Sequence, residues 1–279
     1  MKARIAVTGK GTSGSWKVRG VQLGTAIEAD VLPRHSDFSG HDLVVAIKRI
    51  PPELVEALKR SKKPWVWDIV DAWPQPVGNS WSEIEAVMWL RAEIDRLKPA
   101  AIVFPNSQML HDSLWSGPYL VLPHHAWPKY HPVKTRQMVH TVGYEGGDRY
   151  LGYWHQIIEW ECKKRGWYFS FNGNMEDCDI GIALRCEQGY PAQHWKSNCK
   201  LANLQALAIP AICSPEKSYK EFGSGAESFV LAPEDLAKAL DGLSAYQDRV
   251  LIGASMSRAA PRLEAVAKDY RRWLEQLNF

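Results

Sequence analysis

The chain has 279 residues, 46% of them hydrophobic, and a formal net charge of +3. At about 150 residues per domain that length predicts two globular units, and no apolar run reaches the ~18 residues needed to span a bilayer. The small charge permits an anionic partner without demanding one, and the five cysteines show no zinc-site spacing. The opening residues lack the apolar core of a signal peptide and already read as a strand. A cytoplasmic protein with reduced thiols and no membrane insertion is therefore expected.

Residues 4–8 read as a first strand, followed by a glycine-rich loop (9–14) and a helix (16–27) with Gly20 and Gly24 on one face. Short strands are predicted at 29–32, 43–47 and 65–70, with a Pro-started helix at 51–60. Alternation in the third of these puts Trp65, Trp67 and Ile69 on one side and Asp68 and Val70 on the other. Asp71 follows at the C-terminal end, where open α/β sheets bind ligands. Ile84, Val87, Met88, Leu90, Ile94 and Leu97 fall at helical spacing and predict an amphipathic helix over 81–97. A strand at 101–104, a helix at 107–115 and a strand at 119–122 complete the first run.

The stretch 123–136, PHHAWPKYHPVKTR, holds three prolines and reads as a linker opened by His124 and His125. The pattern then restarts. Strands are predicted at 139–143, 167–171 and 179–184, with a loop at 144–148 and a helix at 150–165 between the first two. A polar, basic loop leads into a helix over 200–208, capped by Ser197 or Asn198, and a strand at 211–213. A helix at 218–222, a strand at 227–231, a helix at 233–243 and a helical tail over 246–277, broken near Pro261, close the chain. Strands alternating with helices predict an α/β protein with parallel sheets. The organisation expected is two Rossmann-like domains facing across a cleft, 1–125 and 137–245, with 246–279 crossing back to the first.

Gly9, Gly11 and Gly14 fit G-x-G-x-x-G between a strand and a helix. The spacing suits a dinucleotide loop, an anion-binding loop or a plain tight turn. The Walker pattern fails because Ser15 stands where its Lys belongs, and the second strand ends in Arg34-His35 without the acid a ribose wants. Lys196 and Lys200 flank a helix start whose free N–H groups suit an anion, and Arg185 follows a predicted strand end. Each cation reads equally as a solvated surface charge. Two adjacent histidines rarely ligate one metal, so no metal is expected.

The run N-x-K-L-x-x-x-[EQ]-A-x-A-x-P-x-[IV] over 198–212 resembles the donor-binding helix of GT-B glycosyltransferases. VGYEG (142–146), CDIGIALR (178–185) and APEDL (232–236) resemble further donor-domain motifs in the family's order. IVFPNSQML (102–110) and YLVLPHHAWPKYHP (119–132) resemble, more weakly, the end of its acceptor domain. The resemblance implies a retaining enzyme with no bound cofactor, using a nucleotide-diphosphate sugar, UDP-sugar favoured, as co-substrate. It places Arg185, Lys196, Asn198 and Lys200 at the diphosphate and Gln205 where the family carries an acid for the ribose. Gly11, Gly14, Gly143 and Glu145 would lie near the donor, with Asp71 and His124 as catalytic groups. The acceptor classes are a glycan, lipid or small molecule, and 5-hydroxymethylpyrimidine in DNA. Two readings of other classes remain: an NAD(P)-dependent oxidoreductase, and a non-catalytic module of GT-B shape, since Gln205 lacks the family's charge.

Overall fold

The computed structural model describes residues 3–71, 81–187 and 189–277. Among them, two sheets form in which every strand pair is parallel. The first contains β1 (Ile5–Gly9), β2 (Asp30–Pro33), β3 (Leu43–Ile47), β4 (Trp65–Asp68), β5 (Ala101–Phe104) and β6 (Tyr119–Val121), in the order β2-β1-β3-β4-β5-β6. The second contains β7 (Thr141–Tyr144), β8 (Tyr168–Phe171), β9 (Ile180–Ala183), β10 (Ala211–Cys213) and β11 (Ser228–Phe229), in the order β11-β10-β9-β7-β8. The two-sheet α/β architecture expected from the strand–helix alternation is present. In both sheets the second strand lies on one side of the first and the third on the other. Each sheet thus has a switch point, at β1/β3 and at β7/β9, and the crevice beyond the strand C-termini there is the usual ligand position.

Helices cover both faces of the first sheet, which is why β1 and β3 are buried along their whole length. Trp67 and Ile69 pack with Leu54, Leu58, Leu90 and Ile94 from the helices Pro52–Ser61 and Glu83–Leu97. Val66 and Val70 face the other way, against Leu23 and the last helix, Leu263–Gln276. The alternation read in this strand is correct, but the strand ends at Asp68 and the next residues turn. The face of Glu83–Leu97 differs from expectation. Ala86, Leu90, Ile94 and Leu97 are buried, whereas Ile84 and Met88 are 70% and 66% exposed. Arg19, from the helical segment Trp16–Leu23, is buried, donates to the Leu122 carbonyl at 2.7 Å, and lies 3.9 Å from the equally buried Asp68.

The lobes are joined by a segment with no counterpart in the predicted elements. The short helix Tyr190–His194 and the following Trp195 belong by sequence to the second half but pack into the first lobe, where Trp195 is a core residue. Asp112 receives them: its Oδ2 accepts from Trp195 Nε1 at 2.8 Å and from Tyr190 Oη at 2.9 Å. Asn106 caps the helix Ser107–Ser113 through its Oδ1, and its Nδ2 donates to the carbonyls of His194 (2.9 Å) and Lys196 (3.2 Å). Ser107 donates to Glu221 of the second lobe from both its backbone N–H (2.9 Å) and its hydroxyl (2.5 Å). The last helix also returns to the first lobe, burying Val266, Ala267, Tyr270 and Leu274 there.

Trp195 therefore fills a hole in a core that its own sheet does not supply. Trp195→Ala should cost about 3–5 kcal/mol of stability, as large-to-small core changes do. Trp195→Phe, which keeps the ring but removes the indole N–H, should cost about 1–2 kcal/mol. Urea denaturation of both variants checks this order.

Candidate functional site

The first-lobe wall of the crevice is made by the ends of β3 and β4. Lys48 follows β3 with φ 63°, and Val70 follows β4 with φ 70°, a region a β-branched residue rarely occupies. The Asp71 N–H donates back to the Ile69 carbonyl at 2.8 Å, so residues 69–71 form a tight three-residue turn. Such a conformation costs about 1–3 kcal/mol and persists only where its surroundings enforce it. The turn brings the Asp71 carboxylate to Lys48 Nζ at 2.5 Å, and the same ammonium donates to Ser15 Oγ at 3.1 Å. Burial pushes the Asp71 carboxyl up, but Lys48, Lys196 and Arg185 together hold it below the ordinary carboxylate range. Two of those cations belong to the opposite lobe, so Asp71 looks across the crevice.

The second-lobe wall begins where β9 ends. Arg185 donates from Nε to Glu216 Oε1 at 2.7 Å and lies 3.8 Å from Glu187, which is also 3.5 Å from Lys196 Nζ. Burial raises the Glu216 carboxyl to about 7 against the pull of Arg185 and Lys196. Lys200, in the first turn of the helix Cys199–Leu207, donates to the Glu145 carbonyl and sits 4.4 Å over the Tyr144 ring. Its burial, with Arg185 nearby, lowers its pKa to about 8. The loop under it is pinned by Asn172, which accepts from the Gly146 N–H at 2.7 Å and donates to the Gly146 carbonyl at 2.9 Å. Gly146 has φ 150°, and a Cβ there would fall 2.1 Å from Lys200 Nζ. A side chain at 146 would displace this lysine.

Arg185, Lys196, Lys200 and Asp71 are thus brought to one crevice, with Glu145 exposed at its edge. Other expected residues are placed differently. Gln205 is fully buried and donates to the Phe222 carbonyl at 2.9 Å. Gly143 lies within β7, where a Cβ would strike Cys178 Sγ at 2.3 Å; its missing side chain serves packing. Asn198 makes no cap with its side chain. Its Oδ1 accepts from the His124 N–H at 2.7 Å, tying the second lobe to the linker. His124 is buried and kept neutral: desolvation, then Arg19 and His125, push its pKa well below the usual value. His125 contacts Gln22 Oε1 at 3.0 Å, and burial lowers its pKa to about 3. Gly11 and Gly14 are exposed, with open space where a Cβ would stand.

Lys48, Glu187 and Glu216 also belong to the crevice. Lys48 had a readable signal: it is the first residue beyond a strand at the switch point. Asn203, one turn beyond Lys200, accepts from the Trp127 N–H at 2.9 Å and donates to Glu145 Oε2 at 3.0 Å. It bridges the linker and the β7 loop. The sequence also contains one D-x-D, Asp177-Cys178-Asp179, but it precedes β9 at the end away from the crevice. Asp179 there accepts from the backbone N–H groups of His140 (2.8 Å) and Thr141 (2.9 Å). No metal-type cluster of His, Cys, Asp and Glu occurs among the described residues.

No protein-family profile and no curated protein matches the chain. Solved structures do. The lipopolysaccharide outer core galactosyltransferase WaaB aligns over 98% of this chain and 99% of its own, with TM-score 0.57 and 12% identity. S. aureus MnaA, solved with UDP, aligns over 99% and 98%, with TM-score 0.57 and 8% identity. TarM aligns over 84% of this chain with TM-score 0.57 and 9% identity, and the chain spans 55% of TarM's length. The chain has the GT-B fold.

Glu216 links this site to stability. Its carboxyl titrates near 4.5 when unfolded and about 7 when folded. The folded state thus binds the proton more tightly, and stability falls as pH rises through that window. Between pH 5 and pH 8 this amounts to about 2–3 kcal/mol. Glu216→Gln cannot ionise, so its unfolding free energy should fall less over the same interval, as chemical denaturation at both pH values would read.

Proposed function

We propose that this protein is a glycosyltransferase that moves a sugar from a nucleotide-diphosphate sugar, preferably a UDP-sugar, to a hydroxyl group. The support for the reading is a GT-B frame in which the Lys48–Asp71 pair stands at the end of the first sheet, the Arg185–Glu187–Lys196 cluster stands at the end of the second, and Asn106 of the first lobe holds the Lys196 carbonyl. The likeness to a galactosyltransferase, and to a protein solved with UDP, supports the donor class.

Arg185, Lys196 and Lys200 would grip the diphosphate, the guanidinium as a fork and the ammonium groups as point charges. The nucleoside would extend into an adjoining cavity of about 170 Å³ beside Tyr153, Gln193 and Leu231. In the transfer, the bond from sugar C1 to the phosphate oxygen breaks and the acceptor oxygen bonds to C1. In the retaining course the acceptor proton passes to the leaving diphosphate. Fixed cations stabilise the charge that gathers there. Asp71 would orient the acceptor hydroxyl, and the neutral His124 would line the hinge side. The crevice has charges of its own for this chemistry, so the proposal includes no bound metal.

A thermal-shift screen of UDP-, GDP-, ADP- and CMP-sugars tests the donor, repeated with glycan, lipid and hydroxymethylated-DNA acceptors. UDP-sugars should give the largest shift, and slow sugar-nucleotide hydrolysis without acceptor would separate an enzyme from a binding module. A response to NADH in place of any sugar nucleotide would overturn the reading.

Lys200 supplies a second test. With its pKa near 8, UDP affinity should fall roughly threefold to tenfold from pH 7 to pH 9. Lys200→Arg, charged throughout, should show no such fall. A flat wild-type profile would remove Lys200 from the phosphate.

A further inference from the structure

Residues 194–198 are held by the first lobe almost one by one. The His194 and Lys196 carbonyls accept from Asn106 Nδ2 at 2.9 and 3.2 Å, the Trp195 indole donates to Asp112 Oδ2 at 2.8 Å, and Asn198 Oδ1 accepts from the His124 N–H at 2.7 Å. Asn106 is fully buried, two residues past β5. Its Oδ1 accepts from the Met109 N–H at 2.9 Å and caps the helix Ser107–Ser113, which fixes the amide and leaves Nδ2 to donate across the lobe boundary. The Lys196 carbonyl accepts a second bond, at 2.6 Å, from Ser218 Oγ of the second lobe. A carbonyl oxygen has two lone pairs, and here each lobe takes one.

The other end of Lys196 is held as well. Its side chain is 11% exposed, with Nζ 3.5 Å from Glu187 and 5.8 Å from the centre of the Tyr150 ring. A lysine is a point charge on a flexible four-carbon stem, so its ammonium stands still only where backbone and neighbours are both fixed. A charge fixed in advance meets an anion without reorganising. We propose that Asn106 is a positioning residue for the donor diphosphate. A buried first-lobe amide, out of reach of any ligand, sets the phosphate affinity of a second-lobe cation by fixing the Lys196 backbone. This rests on the reading of Lys196 as a phosphate ligand.

A double-mutant cycle on UDP affinity, read by calorimetry, tests it. Asn106→Asp keeps an oxygen for the Met109 N–H but loses the donor to both carbonyls, and Asn106→Ser is a second variant that keeps a capping oxygen. Either should weaken UDP binding about fivefold or more, and Lys196→Ala about tenfold. In the Lys196→Ala background the Asn106 changes should add less than twofold, because their effect passes through that side chain. Ser107→Ala, which removes one bond to Glu221 at the same boundary, should leave affinity within twofold. Wild-type affinity in both Asn106 variants would overturn the proposal, as would losses that multiply in the double variant, the mark of general loosening. The Ser197 amide resonance reads the same link without ligand, since its nitrogen shares a peptide with the Lys196 carbonyl, and it should move in both Asn106 variants. If UDP fails to bind the wild type, the donor reading falls and this resonance decides alone: a shift keeps Asn106 as the residue that places this cation, and an unmoved resonance removes it.

Discussion

The architecture depends on one buried carboxylate. Asp112 sits in the first lobe and accepts hydrogen bonds from Trp195 and Tyr190, which belong by sequence to the second. Burial alone would raise its pKa, but the bonds from Trp195, Gln108, His111 and Tyr190 bring it below the ordinary range. Separating the lobes would remove the Trp195 and Tyr190 donors and leave Asp112 only Gln108 and His111 of its own helix. Lys196 is the next residue after Trp195, and Asn106 holds its carbonyl. The interaction that docks the lobes therefore also sets where a crevice cation stands. In this GT-B chain, crevice geometry and lobe docking are one constraint.

Charge in the crevice is interleaved. Glu187 lies between Arg185 and Lys196, Glu216 holds Arg185, and Asp71 holds Lys48. Unopposed buried cations would repel one another, and each carboxylate limits that cost without removing the donors. The left-handed turn at Val70 belongs to the same economy of position. A regular strand would carry Asp71 onward in extended geometry, whereas the turn swings it toward Lys48.

Much of the fold was legible because it rests on local pattern. Continuous apolar runs mark β1 and β3, alternation sorted the two faces of β4, and Pro261 marks the break in the tail. The errors share a cause. Ile84 and Met88 looked like core because periodicity counts apolar residues, yet small Ala86 defines the buried stripe. The helix Tyr190–His194 was missed because its apolar residues serve the other lobe, a long-range fact with no local signature. At the site, strand ends and cations could be read along the chain, which located Asp71, Arg185, Lys196 and Lys200. Gln205 and Asn203 sit two positions apart on one helix, and only packing decides which turns inward.

The final helix carries a consequence for biosynthesis. Arg271 donates to the carbonyls of Ala3 at 3.0 Å and Ile27 at 3.1 Å, and the first of these partners is 268 residues distant. The part of one face of the β1-containing sheet that this helix covers, beside Trp16, Leu23 and Ile27, thus stays open until the ribosome has made almost every residue described. The lobe translated first is the lobe finished last, and its apolar face must be shielded from other nascent chains meanwhile.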